Sequence, residues 1–429
     1  MKILTDIFTV QPLPRFVRVE QRLDGSHVAD VRADVREKLL AAGLRQHVSP
    51  DARIAITAGS RGMGGFVDLL NGICDAVKQC GGKPFLIPAM GSHGGATGEG
   101  QTHLLRSLGV TERSVPVPIE ATMETIPLGK SKNGAVAHLD KIAAAADGII
   151  VLGRTKTHPE NTQGIASGLL KMTTIGLGNQ VGAHEAHSHG LWPNVEAVPE
   201  ITLAKSKIIF GVAVVENAYR QPATIEVLPG NHEAFRDADR RLLGVAKRHF
   251  AKLPFNNLDV LIVDQLGKNI SGTGMDLNVI GKWRLEGGEH KPDFRRIVVL
   301  SLTPQSCGNG LGIGLADFTT TRFMRDFDFE PTYINLLTAT EPGALNTREG
   351  SPPLALPTDR QAIAVAIQSS LAGRAPRICR IRNTALLNEF QVSEALLKEI
   401  ESNNDLTVRD ELAQLEFDDN GNLRAEFAQ

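Results

Sequence analysis

The chain has 429 residues, 42% of them hydrophobic and 22% charged, an ordinary globular composition with length enough for two cores. Its 46 Lys and Arg stand against 48 Asp and Glu, and the net charge of −2 gives no electrostatic reason to expect nucleic acid or an anionic membrane as partner. The four cysteines form no CxxC pair or disulfide framework, Met1–Val10 lacks the apolar core of a signal peptide, and the longest strongly apolar run, Ile208–Val215, is far short of the roughly 20 residues that span a bilayer. A cytoplasmic protein is expected.

In chain order, Arg53–Thr57 reads as a strand. The Gly-rich turn Ala58-Gly-Ser-Arg-Gly-Met-Gly-Gly65 follows, and then a helical stripe with apolar residues at Phe66, Leu69, Leu70, Ile73, Ala76 and Val77. Gly81 and Gly82 end the helix, and Pro84–Pro88 begins another strand. Strand, helix and strand in so short a span predict a βαβ unit and a parallel sheet. Further strands are expected at Gly148–Leu152 and Lys207–Val215. The Pro- and Asn-bearing Lys252–Asn257 then separates a second series, with strands at Asp259–Val263 and Ile297–Leu302 and a helical tail at Glu394–Glu401. The expected architecture is two α/β domains with mainly parallel sheets, 1–255 and 256–429, and an active site in the cleft between them.

Four segments could carry chemistry. The turn after Arg53–Thr57 brings Ser60 and Arg61 among glycines, where backbone N–H groups and a guanidinium suit a phosphate or carboxylate; a plain tight turn is the other reading. Pro88-Ala-Met-Gly-Ser-His-Gly-Gly-Ala-Thr97 exposes His93 after a strand, as a general base would need, although a lone histidine is more often only a surface residue. Gly153-Arg-Thr-Lys-Thr-His158, Ser167-Gly-Leu-Leu-Lys171 and Ile175-Gly-Leu-Gly178 then lead to His184, His187 and His189. Three imidazoles so close suit zinc, one alone could complete the sphere of a ligand-bearing cofactor, and a polar loop without metal is the bland alternative. Last, Gly267–Asn278, with Lys268, Asp276, Lys282 and Arg284, reads as an anion-binding loop or a solvated basic turn.

Taken in order, these motifs resemble the nickel-pincer lactate racemase family from about Arg53 to Arg284. The likeness rests on Arg61 in a post-strand loop, Gly91-Ser-His93, His158 ahead of Ser167-Gly-Leu-Leu-Lys171, and a histidine 16 residues beyond that lysine, His187 (187 minus 171). The resemblance implies a nickel ion held by a pyridinium-derived pincer nucleotide joined to Lys171, with His187 as the fourth nickel ligand and Ser60, Ser167 and Gly168 around the cofactor. It implies inversion of C2 of a 2-hydroxy acid by hydride exchange through a planar 2-keto acid, with His93 and His158 as the two bases and Arg61 and Arg284 holding the carboxylate. Lys268 and Asp276 would contact substrate. Enzymes that build the cofactor are implied as partners.

The sequence departs from lactate racemases after Asp276-Leu-Asn278, where Ile280-Gly281 replaces a Tyr-Gln and Arg284 replaces a lysine. The loop from His158 to Lys171 is also a few residues longer. These changes lead to the expectation of a larger acid than lactate, such as a sugar acid. Two rival readings are a zinc hydrolase using His184, His187 and His189, and a sugar-acid-binding protein without turnover.

Overall fold

The computed structural model describes residues 13–60, 62–157, 165, 167–338, 347–370 and 374–424. The chain divides into two compact units, Asp24–Phe250 with Ile334–Leu345, and Met1–Leu23 with Ala251–Tyr333 and Asn346–Gln429. Both are α/β; the main sheet of the first is mostly parallel, and that of the second is half parallel and half antiparallel.

The first strand among the described residues, β1 (Arg15–Gln21), belongs to the second unit. In the Asp24–Phe250 unit the sheet strands are β2 (Arg53–Ala58), β3 (Lys83–Pro88), β6 (Gly148–Arg154), β7 (Ile208–Glu216) and β8 (Pro222–Pro229), in the order β3-β2-β6-β7-β8. The pairs β3-β2, β2-β6 and β6-β7 are parallel, and β8 runs antiparallel at the edge. A separate hairpin holds β4 (Thr125–Lys130) and β5 (Val136–Asp140).

Strand residues with no polar face must be covered on both sides, and β2 shows how. Ile54, Ile56 and Ala58 pack into one core with helices α1 (Val31–Ala41) and α2 (Phe66–Gln79). Ala55 points the other way, into a second core. That second core takes in residues of α3 (Asn179–Ser188), α4 (Leu191–Lys205) and α5 (His232–Arg248). The period of two along each strand thus sorts side chains between two helical layers. The stripe expected at Phe66, Leu69, Leu70, Ile73, Ala76 and Val77 is buried throughout.

The sheet parts at one point. Backbone pairing of β2 with β6 runs only from Ile54↔Gly148 to Ile56↔Ile150, although both strands continue. Beyond it the Thr57 hydroxyl takes over, accepting from Leu152 N at 2.9 Å. From β2 the chain proceeds to β3 on one side and β6 on the other, so this gap is the topological switch point, where open α/β sheets present a crevice.

The second unit has a nine-stranded sheet. Its path is β12 (Leu354–Leu356), β11 (Phe318–Thr320), β10 (Asp293–Leu302), β9 (Asn257–Leu266), β13 (Ile378–Asn383), β14 (Leu386–Ser393), β1 and β15 (Leu406–Val408), with β16 (Ala413–Gln414) also on β1. The strands from β12 to β13 pair in parallel; β13, β14, β1, β15 and β16 pair antiparallel. This differs from a domain running continuously over 1–255. The break falls between Phe250 and Ala251, and β1 crosses to the second sheet, with Phe16 facing Ser393 and Val19 facing Phe390. The physical reason is burial: Phe16, Val17 and Val19 are all under 4% exposed there.

Among the described residues no helix is long and apolar enough to cross a membrane. The expected helical tail is a short 3-10 turn, Glu394–Leu396, followed by Leu397–Glu401. Cys74, Cys80 and Cys379 are buried free thiols, as isolated cysteines usually are, whereas Cys307 is exposed.

Candidate active site

At the switch point a cavity of about 140 Å³ opens; its described lining residues all fall within 59–176. Four stretches of chain build it. Gly59, Ser60, Gly62 and Met63 come from the turn after β2, and Ala89, Met90 and His93 from the loop after β3. Arg154 and Lys156 come from the end of β6 and the residues beyond it. Ser167, Gly168, Lys171, Met172, Ile175 and Gly176 form the facing wall.

His93 sits half-buried on a turn whose shape glycine alone permits. Gly91 and Gly94 have φ of 60° and 67°, and a Cβ on Gly94 would lie 2.6 Å from Gln101 N. Gln101, fully buried, donates its side-chain amide to Gly91 O at 3.0 Å and fixes the turn from beneath. The imidazole is therefore presented to the cavity by a rigid support.

Lys171 ends the short helical turn Leu169–Lys171, which continues as a π-helical segment, Met172–Gly176. Such wide turns recur at functional sites. Two sealed amide donors at the start of this turn need acceptors, and no local side chain caps them. The acceptor comes from α5: Asp239 takes Leu169 N at 3.0 Å and Leu170 N at 2.9 Å. Its carboxylate packs so closely that a Cβ on Gly168 would stand 2.0 Å from Asp239 Oδ1, which explains the glycine of the Ser-Gly-x-x-Lys pattern. Ser167 Oγ donates to Arg154 O at 3.1 Å and ties this wall to β6. The Lys171 ammonium lies 5.2 Å from the centre of the Trp192 ring, a cation–π distance.

His187, on α3, has an Nδ1 sealed from solvent with no hydrogen-bond partner among the described residues. Burial, then the charges of Lys171 and His184, push its pKa down to about 4. The ring is thus neutral at neutral pH and keeps a nitrogen unspent, which is the state a metal ligand needs. The neighbouring histidines differ. His184 is exposed and its Nε2 lies 3.3 Å from Ser188 Oγ; the His189 Nδ1 lies 3.0 Å from Glu185 O. Among the described residues no three His, Cys, Asp or Glu side chains form a group that could hold a metal ion. A zinc site made of His184, His187 and His189 is therefore not assembled: the His184 and His189 rings meet neighbours of their own while that of His187 is turned inward.

Of the residues singled out from the sequence, the cavity gathers Ser60, His93, Ser167, Gly168 and Lys171, with His187 close enough to feel the Lys171 charge. Arg61 and His158 lie outside the described residues. The second unit's loop reads differently from the sequence expectation. Arg284 is 2% exposed, and its Nη1 donates to Leu315 O at 2.9 Å and to Asp317 Oδ2 at 3.1 Å, while Nη2 donates to Phe294 O. A guanidinium spent on its own unit in this way is not presented to a substrate carboxylate. Lys268, also buried, donates Nζ to Gly272 O, and Asp276 accepts from Asn278 N and Nδ2 at 3.0 and 2.9 Å as the cap of Leu277–Ile280. Both shape their own loop. Gly281, with φ of 101°, leaves room for Trp283: a Cβ there would approach the indole Nε1 to 2.6 Å. Its small size serves packing, and Ile280-Gly281 opens no space for a larger acid.

Asp239, Arg154, Lys156 and Glu216 were not foreseen individually. For Asp239 a signal exists: it falls on the buried stripe Phe235, Ala238, Leu242, Ala246 of α5, where an acid needs a buried partner. Burial, opposed by the two amide bonds, pushes its pKa up to about 7. An acid raised above its ordinary value near 4 binds its proton more tightly folded than unfolded, so its contribution to stability falls as pH rises from about 4 to about 7. Asp239→Asn removes that dependence. The variant is expected to be the less stable protein at pH 5, with the deficit shrinking by a few kcal/mol, on the order of 1–4, at pH 8. Urea midpoints at the two pH values measure this, and parallel pH profiles would count against it.

Comparison with known proteins gives little sequence likeness. No family model matches the chain, and no curated protein matches it. Among solved structures it is similar to the lactate racemase apoprotein from Thermoanaerobacterium thermosaccharolyticum, with 13% identity over 86% of this chain and 99% of that one, at a TM-score of 0.46.

Proposed function

We propose that this protein is a racemase or epimerase that inverts C2 of a 2-hydroxy acid with a nickel-pincer nucleotide. The observation that carries the reading is the pairing of Lys171, an amine on the cavity wall, with His187, a neighbouring imidazole held neutral with an unused buried nitrogen. An attachment point and a nitrogen donor are what such a group requires of its protein. When bound, the nucleotide supplies hydride exchange with C2. Lys171 would hold it, His187 would give the metal its nitrogen, and the glycines and Ser60 of the turn after β2 would let its polar groups approach backbone N–H.

The remaining chemistry falls to side chains. Loss of hydride from C2 leaves a hydroxyl proton that must be taken up, and His93 is positioned on a rigid turn to take and return it. Inversion requires the second orientation of the hydroxyl to be served as well, and His158 is proposed for that role. Met63, Met90 and Met172 give the cavity a soft apolar lining that limits water.

The test uses protein matured together with the cofactor-making enzymes. Single enantiomers of lactate, malate and several aldonic acids are incubated in deuterated water, and C2 configuration is followed by NMR. The expected result is inversion of at least one acid with little deuterium at C2. Inversion of none would remove the reading, and deuterium entering at the rate of inversion would replace hydride exchange by proton abstraction.

A further inference from the structure

The cavity holds a cation whose bonding is half complete. Arg154 ends β6, lines the cavity, and is 11% exposed in its side chain. Its Nη1 donates to Glu216 Oε2 at 2.5 Å. Glu216 ends β7, and its other oxygen accepts from Gly64 N at 2.7 Å. One carboxylate thereby joins the turn after β2 to the ends of β6 and β7.

This joint is stiff and charged. A Cβ on Gly64 would stand 1.6 Å from Arg220 O, so the turn is seated directly against the backbone of the β7–β8 connection. Burial alone would push the Glu216 carboxyl up, but the charges of Arg154 and Arg220 and the two hydrogen bonds hold it below the usual carboxylate range. A charged carboxylate therefore fixes one side of the guanidinium.

The other side is open. Nε and Nη2 of Arg154 make no hydrogen bond to any described residue. These two nitrogens form one flat edge of the guanidinium, the edge that meets an oxyanion with two parallel charge-assisted bonds. Arg284, the anchor suggested by the sequence, has turned inward.

We propose that Arg154 is the oxyanion anchor of this cavity, held in orientation by Glu216, and that it takes the carboxylate of the acid substrate or the phosphate of the nucleotide. The inference deepens the function proposed above and rests on it for the ligand's identity. The anchor itself rests on the Arg154–Glu216–Gly64 geometry.

The test needs no loaded cofactor. The full chain is purified without the cofactor-making enzymes and titrated calorimetrically with oxalate and, separately, with inorganic phosphate. Arg154→Lys keeps a cation for Glu216 but loses the flat edge. The paired change Arg154→Gln with Glu216→Gln leaves no buried charge unpartnered, so it guards against a misfolded single variant. Both are expected to weaken binding of at least one anion tenfold or more. Loss confined to oxalate assigns the anchor to a carboxylate, and loss confined to phosphate assigns it to the nucleotide. Binding of both anions within twofold of the wild type in both variants, or no binding by the wild type, overturns the proposal. If the matured enzyme inverts no acid while Arg154-dependent binding persists, the reaction falls and the anchor stands.

Discussion

Protein matured alongside the cofactor-making enzymes is expected to carry a nucleotide-sized mass increment that Lys171→Ala eliminates together with all turnover. Among the described residues two lysines line the cavity, Lys156 and Lys171, so the experiment has an internal control. Only Lys171 is followed by a π-helical segment and preceded by amides clamped on Asp239, which holds its backbone in one place. Peptide mapping of the adduct distinguishes the two, and an adduct on Lys156 would overturn the assignment. The companion variant His187→Ala should keep the mass increment and lose bound nickel. Full retention of nickel by that variant would remove His187 from the metal.

Turnover should fall about 10²–10⁴-fold in His93→Ala, the usual scale for loss of a general acid–base group. The nucleotide mass should be unchanged, because His93 stands on the loop after β3 and Lys171 on the opposite wall. The expectation draws its size from rigidity. With Gly91 and Gly94 in positive-φ conformations and Gln101 bonded beneath, the turn keeps its shape when the imidazole is removed. Turnover within a few-fold of wild type would show that another group moves the proton.

Much of this site is legible in the sequence. The stripe from Phe66 to Val77 between two apolar strands fixed the β2–α2–β3 unit, and a parallel unit places its following loops at one edge of the sheet. Ser60, His93 and Lys171 converge for that reason, though they are spread over more than a hundred residues. What was not legible depends on partners distant in sequence. Arg284 looked available because its cluster is basic, yet its acid, Asp317, lies 33 residues later. The stripe of α5 marks Asp239 as buried, but its partners are the amides of Leu169 and Leu170, 70 and 69 residues away, which no local pattern reveals. Gly281 read as space for substrate, while the occupant of that space is Trp283, two residues on.

The placement of β1 bears on how the protein is made. Residues 24–250 form nearly all of one unit in a single continuous stretch, so that unit can close while the rest is still being synthesised. The other unit cannot. Its first strand, complete at Gln21, must wait for β14 to begin at Leu386, which is 365 residues later (386 minus 21). At about 5–20 residues per second, β1 spends on the order of 20–70 seconds on the ribosome without its sheet. Phe16, Val17 and Val19, sealed in the finished protein, are exposed for that interval and offer a ready hold for a chaperone or for another nascent chain. Conditions that slow elongation between residues 24 and 386 should therefore lower the yield of the second unit while sparing the one that carries the cavity.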